Sequence, residues 1–278
     1  MISYGIMQGR LTKPMGRGIQ FFPFEYWQEE FQIAKEIGLD EIEFIFDNDR
    51  YEENPLWTQQ GVQELKGIIE STGVLVKAIC FDYFMRRAFY KSEDAEELKK
   101  ENKTVLEHVI EAMKELGVSL IEIPLVDDSS LKTKEEKGLF MDFIREIADR
   151  EAGIRFGLET DLPPAEFANY LDEIGMKNVG ANYDSGNSSG LGYDHYEEVT
   201  ILRERIYNIH IKDRQLHGGT MQLGTGSADF DRFFKGLKEI SYGGSFILQA
   251  ARGEEGREKE NIVWQKKFVE EYVRRYQL

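Results

Sequence analysis

The chain of 278 residues carries 51 Asp and Glu against 35 Lys and Arg, a formal charge of -16, which argues against a protein that neutralises a long nucleic-acid phosphate backbone. Its one cysteine, Cys80, excludes an internal disulfide and a multi-cysteine zinc module, in keeping with a reducing compartment. The sequence turns polar by Gln8 without a charged-then-apolar leader, and no apolar run approaches the ~20 residues of a membrane span, so a soluble cytoplasmic protein with no membrane partner is expected.

Residues 2–7 read as a strand that delivers Gln8, Gly9 and Arg10 to a loop containing Gly and Pro. Residues 24–37 (FEYWQEEFQIAKEI) place apolar side chains at helical spacing and stop at Gly38. In residues 41–46 (EIEFIF), Ile42, Phe44 and Phe46 alternate with Glu41, Glu43 and Ile45, which marks a second strand. A helix over 57–71 stops at Gly73, and a strand over 74–80 hands off to Asp82 and Tyr83. A long, charged, amphipathic helix spans 92–116, with Ser92 as N-cap and Gly117 as stop. Strands at 119–125, 154–159 and 179–183 alternate with a helix at 132–150, a helix opened by Pro163 and Pro164, and, after a Gly/Ser loop, a helix near 193–203. A strand at 205–211, a glycine-rich connection over 217–229, a helix at 230–240, a strand at 246–250 and a helix at 258–276 complete the chain.

Apolar strands alternating with helices eight times over is the arithmetic of an α/β fold, the (β/α)8 TIM barrel, which commonly runs near ~250 residues. No glycine-rich turn follows strand one, which weighs against a doubly wound sheet, and no linker or charge block divides the chain. One domain over 1–278 is expected.

In such barrels the C-terminal strand ends carry the active site. Glu159 ends strand five, Asp184 strand six, His210 strand seven and Gln249 strand eight. Carboxylates, an imidazole and an amide at one mouth make a mixed oxygen and nitrogen site, suited to Mn2+, Co2+, Mg2+ or Zn2+. A lone acid or histidine at a strand end is more often a loop cap; four on consecutive strands favour the metal. Lys212 shares the His210 side of its strand, where it could hold an anionic group or an enediolate, or pair with Asp213. Gln8, Arg10, Glu43, Asn187 and Arg252 lie at strand ends or just beyond them and are candidates to bind substrate, with loop caps and surface ion pairs as the plain alternative. His217 reads as exposed, His108 and His195 as structural or surface residues, and Asp229 as the N-cap of the helix that follows.

The segments GIMQGRL, LET, YDSGN, HIKD and GTGSADF together resemble the sugar phosphate isomerase/epimerase family of xylose-isomerase-like TIM barrels, over nearly the whole chain. That resemblance implies a divalent metal on Glu159, Asp184 and His210 that chelates adjacent oxygens of a small hydroxy-carbonyl sugar or sugar phosphate. Dimers or tetramers are common in the family, so a homo-oligomer is compatible with it. The fourth ligand, usually glutamate, is Gln249 here. An amide oxygen can ligate a metal but cannot take up a proton as a carboxylate does. A symmetric two-carboxylate epimerisation therefore gives way to a scheme in which Glu159 or Lys212 abstracts the proton. Aldose–ketose isomerisation satisfies this, as does epimerisation with another group supplying the second proton. A silent sugar-binding barrel and a lyase or dehydratase are the alternatives. The superfamily's apurinic-site nucleases fit less well, because four histidines, two of them on helices, and an acidic chain suit neither a multi-zinc site nor DNA.

Overall fold

The computed structural model describes residues 2–14, 16 and 18–278. Eight parallel strands, β1 (Ser3–Met7), β2 (Glu41–Ile45), β3 (Ala78–Cys80), β4 (Leu120–Leu125), β5 (Arg155–Thr160), β6 (Val179–Asp184), β7 (Ile206–Ile211) and β8 (Ser245–Leu248), close into a barrel in which each strand neighbours the next and β8 returns to β1. Ser3 lies opposite Ser245 and Gly5 opposite Glu41, so β1 seals the ring. The principal helices follow their strands in turn: α1 (Trp27–Glu36), α2 (Gln59–Thr72), α3 (Ala95–Leu116), α4 (Lys134–Arg150), α5 (Pro164–Ile174), α6 (His195–Leu202), α7 (Phe230–Glu239) and α8 (Glu258–Tyr276).

Local chemistry sets these boundaries. In α4 the Thr133 hydroxyl accepts from Glu136 N at 3.1 Å while the Glu136 carboxylate accepts from Thr133 N at 2.9 Å, closing a capping box. The α2 and α3 helices end on Gly73 and Gly117 with φ of 76° and 72°, a left-handed geometry that glycine adopts without a Cβ penalty. Alternation along the strands then sorts the side chains. In β4, Glu122 and Pro124 face the mouth cavity, while Ile121, Ile123 and Leu125 join the buried apolar layer.

Several sequence expectations change in the folded chain. Ser92 does not cap the long helix: α3 begins at Ala95 after Asp94, and the Ser92 hydroxyl instead accepts from Asp94 N at 3.2 Å in the preceding turn. Strand three shortens to Ala78–Cys80, because over 74–77 only Leu75 makes a bridge, to Glu41. The Gly/Ser loop after strand six is a short helix, Ser185–Leu191, buried along most of its length. Glycine and serine are poor helix formers; here the Asp184 carboxylate supplies the cap, and their small side chains admit close packing on the segment after β7. The glycine-rich connection is pinned in part as a two-stranded ribbon, Asp213–Arg214 against Thr220–Met221. Asp229 caps α7, accepting from Arg232 N at 2.9 Å, as its position indicated. Among the described residues no helix is long and apolar enough to cross a membrane.

Candidate active site

A cavity of about 360 Å3 opens at the C-terminal ends of the strands. Glu159, Asn187, His210 and Lys212 line it from the ends of β5 to β7, together with Gln249 after β8 and Gln20 and Asp82 from the segments after β1 and β3.

Glu159, Asp184 and His210, all buried, each bring a donor atom within 4.8 Å of the other two. Each is fixed by a different device. One Glu159 oxygen accepts from Asn187 Nδ2 at 2.6 Å, and the other accepts from Asn182 Nδ2 at 2.7 Å and lies 3.0 Å from His210 Nδ1. Asp184 Oδ1 accepts from the backbone of Gly186 and Asn187 at 2.7 and 2.8 Å, which leaves Oδ2 directed at Lys212 Nζ, 3.3 Å away. His210 Nε2 is 3.2 Å from both oxygens of Glu43, and Glu43 also accepts from Asn208 Nδ2 at 2.7 Å. Held at Nε2, the ring turns Nδ1 towards the Glu159–Asp184 cluster. Burial opposes a charge on His210, yet Glu43 and Glu159 on its two nitrogens hold its pKa well above the usual imidazole value.

Gln249 completes the mouth. Its Nε2 donates to Gln20 Oε1 at 2.7 Å, while its Oε1 is buried with no hydrogen-bond partner. A buried acceptor without a donor is costly, and a divalent cation satisfies such an oxygen. The donor set of two carboxylates, one imidazole nitrogen and this amide oxygen therefore fits a hard or borderline divalent ion.

The other expected residues divide sharply. Asn187 and Lys212 line the cavity, and Lys212 pairs with Asp184 while Asp213 accepts from Gly226 N and Ala228 N. Gly186 makes room for the lysine: a Cβ there would meet Lys212 Cγ at 2.4 Å. Four of the five proposed substrate-binding residues lie behind the wall instead. Gln8 Oε1 accepts from Ile45 N at 2.9 Å, and Arg10 Nη1 donates to Ala250 O at 2.6 Å, its pKa lowered by burial and by nearby Arg252 to about 9. Arg252 donates to the carbonyls of Gly9, Thr12 and Ile19 and covers the Phe21 ring, strapping down the β1–α1 segment. Glu43 is committed to His210 and Asn208. Of the remaining histidines, His217 is exposed, His108 stacks on Trp57 at 4.0 Å, and His195 is buried against Tyr183.

Sequence reasoning passed over Glu122, Gln20, Asn182 and Asn208, and noted Asp82 after strand three without giving it a role at the site. Glu122 is 1% exposed, lines the cavity, and leaves both carboxylate oxygens without a hydrogen-bond partner. Burial raises its pKa well above the usual range, and the charge of Glu159 adds to the shift. A lone polar residue inside an apolar strand was the available signal for Glu122 in SLIEIPL, Asn182 in VGANYD and Asn208 in IYNIHI.

Residues 31–269 match the xylose isomerase-like TIM barrel family. The chain belongs to that family. Among relatives of this xylose isomerase-like barrel, an L-ribulose-5-phosphate 3-epimerase of Escherichia coli is 23% identical over 261 residues, covering 90% of this chain and 88% of the relative. The structure of D-allulose 3-epimerase from Methylomonas sp. in complex with D-allulose superposes with a TM-score of 0.75 at 16% identity, over 98% of this chain and 97% of the other. The IolI protein with a bound zinc atom superposes with a TM-score of 0.76 at 19% identity, over 99% of each chain.

Proposed function

We propose that this protein is a divalent-metal-dependent epimerase or isomerase of a small ketose or ketose phosphate. The observation that carries the reading is the convergence of Glu159, Asp184 and His210 within 4.8 Å at the barrel mouth, with Gln249, whose amide oxygen is unpartnered, lining the same cavity. Epimerases acting on ribulose phosphate and on allulose among the relatives and structural neighbours support it, as does the zinc seen in IolI.

Glu159, Asp184, His210 and Gln249 would hold the ion. When bound, the ion would polarise a carbonyl and an adjacent hydroxyl, making the hydrogen between them acidic. The protein's own groups then carry the proton traffic. Glu159 is the base: its carboxylate faces the cavity, and Asn182 and Asn187 fix its plane. Lys212 projects its ammonium beside Asp184, where it balances the negative charge that develops on the substrate oxygens. Buried on the barrel side, Glu43 and Asn208 hold the His210 ring in place and contribute no proton to the substrate.

Metal analysis of the purified protein, together with Asp184→Ala and His210→Ala, tests this. About one ion per chain, lost in both variants, and Mn2+-dependent 3-epimerisation of L-ribulose 5-phosphate or D-allulose are the expected results. A wild-type protein that neither holds nor takes up Mn2+, Co2+ or Zn2+ refutes the reading.

A further inference from the structure

The chemistry proposed above leaves one task without a residue. Epimerisation takes a proton from one face of a carbon and returns one to the other, and Gln249 can do neither. Among the other carboxyls that line the cavity, Glu122 is buried, Asp47 is buried with one oxygen accepting from Asp49 N, and Asp82 is half-buried. Glu122 sits on β4, next to the strand of Glu159, and packs against Cys80 in the cavity lining. It shares the side of the base.

Asp82 is placed differently. It follows β3 and lines the cavity together with Gln20, whose Oε1 accepts from Gln249 Nε2 at 2.7 Å. Asp82 Oδ1 is buried, without a partner, in a residue that lines the cavity. We propose that Asp82 is the second acid–base residue of this site, protonating the substrate carbon from the Gln249 side after Glu159 has taken the proton from the other.

Its surroundings suit that work. Burial raises the Asp82 pKa to about 7, the charges of Asp47 and, less, Glu159 add to the rise, and Gln20 and Arg86 act against it. At neutral pH both the acid and the base forms are populated, as a group that must give and regain protons requires. The C–H electron pair passes into the enediolate as the Glu159 carboxylate takes the proton. The Asp82 O–H bond then breaks as a C–H bond forms on the opposite face, leaving Asp82 ionised. Water accepts the proton from Glu159 and returns one to Asp82.

The assignment rests on the proposed epimerase reading, and the test separates the two. The full-length Mn2+-loaded protein is incubated with L-ribulose 5-phosphate or D-allulose in D2O, and deuterium is measured separately in recovered substrate and in product. In Asp82→Asn, product formation is expected to fall roughly 100-fold or more, while deuterium still enters recovered substrate at close to the wild-type rate, because Glu159 still removes and returns the proton on its own face. Glu159→Gln loses both signals, and Asp82→Glu restores part of the product. Product formation within about threefold of wild type in Asp82→Asn overturns the assignment. So does loss of exchange and product together at unchanged Mn2+ content, which places Asp82 in binding. A wild-type protein that binds Mn2+ but neither exchanges nor converts either sugar overturns the epimerase reading and this assignment with it.

Discussion

Replacing Glu43 by glutamine tests how the barrel interior supports the proposed metal site. Glu43 presents two oxygens to His210 Nε2 at 3.2 Å and one to Asn208 Nδ2 at 2.7 Å, all buried. The amide keeps the shape, removes the charge and leaves one oxygen for two donors. A hydrogen bond to a charged partner contributes about 1.5–3 kcal/mol. Loss of a buried carboxylate behind a ligating histidine typically weakens metal binding about 10–100-fold, or about 1.4–2.7 kcal/mol. The two ranges overlap, so a rise of that size in the Mn2+ Kd is expected, with the fold retained. Calorimetric titration of metal-free wild type and Glu43→Gln measures it, and circular dichroism checks the fold. A Kd within about twofold of wild type refutes the claim that Glu43 orients His210.

Three further perturbations have defined outcomes. His195 is buried against Tyr183, and burial lowers its pKa to about 4 from 6.5. A depressed histidine contributes stability that is full above pH 6.5 and is lost as pH falls towards 4, which amounts to about 2 kcal/mol between pH 7.5 and pH 5. Urea unfolding of metal-free wild type and His195→Asn at both pH values isolates this term, because neighbouring Glu198, which burial raises to about 7, titrates in both proteins. Parallel losses in the two would show that His195 is not held neutral. Gly186→Ala drives a methyl into the Lys212 stem and is expected to cut kcat roughly tenfold or more with Mn2+ stoichiometry unchanged, while an unaltered kcat removes Lys212 from the mechanism. Gln249→Glu exchanges the neutral oxygen of a proposed ligand for a charged one and is expected to tighten Mn2+ binding roughly tenfold, whereas an unchanged Kd takes Gln249 out of the proposed ligand set.

Much of the architecture was legible along the chain because its causes are local. Strand alternation and the glycine stops at 73 and 117 each act within a few residues, and the eightfold repeat of strand and helix then leaves few ways to close a sheet. The positions of Glu159, Asp184, His210 and Gln249 followed from the same periodicity, since the last inward residue of a barrel strand faces the mouth.

What periodicity leaves open is depth and partnership. It places Glu43 inside the barrel but not beneath His210, a residue 167 positions away in sequence. Nor does it turn Gln8, Arg10 and Arg252 to backbone carbonyl and amide groups, or fold residues 185–191 into a helix on the Asp184 cap. These outcomes depend on strand stagger and on which buried polar groups find one another once water is gone. The sequence by itself determined the barrel and the kinds of atoms at its mouth. Tertiary structure alone decided which of them face the cavity, which stand behind it, and that Asp82 and Glu122 belong to it, because unsatisfied polar atoms acquire meaning only when their neighbours are known.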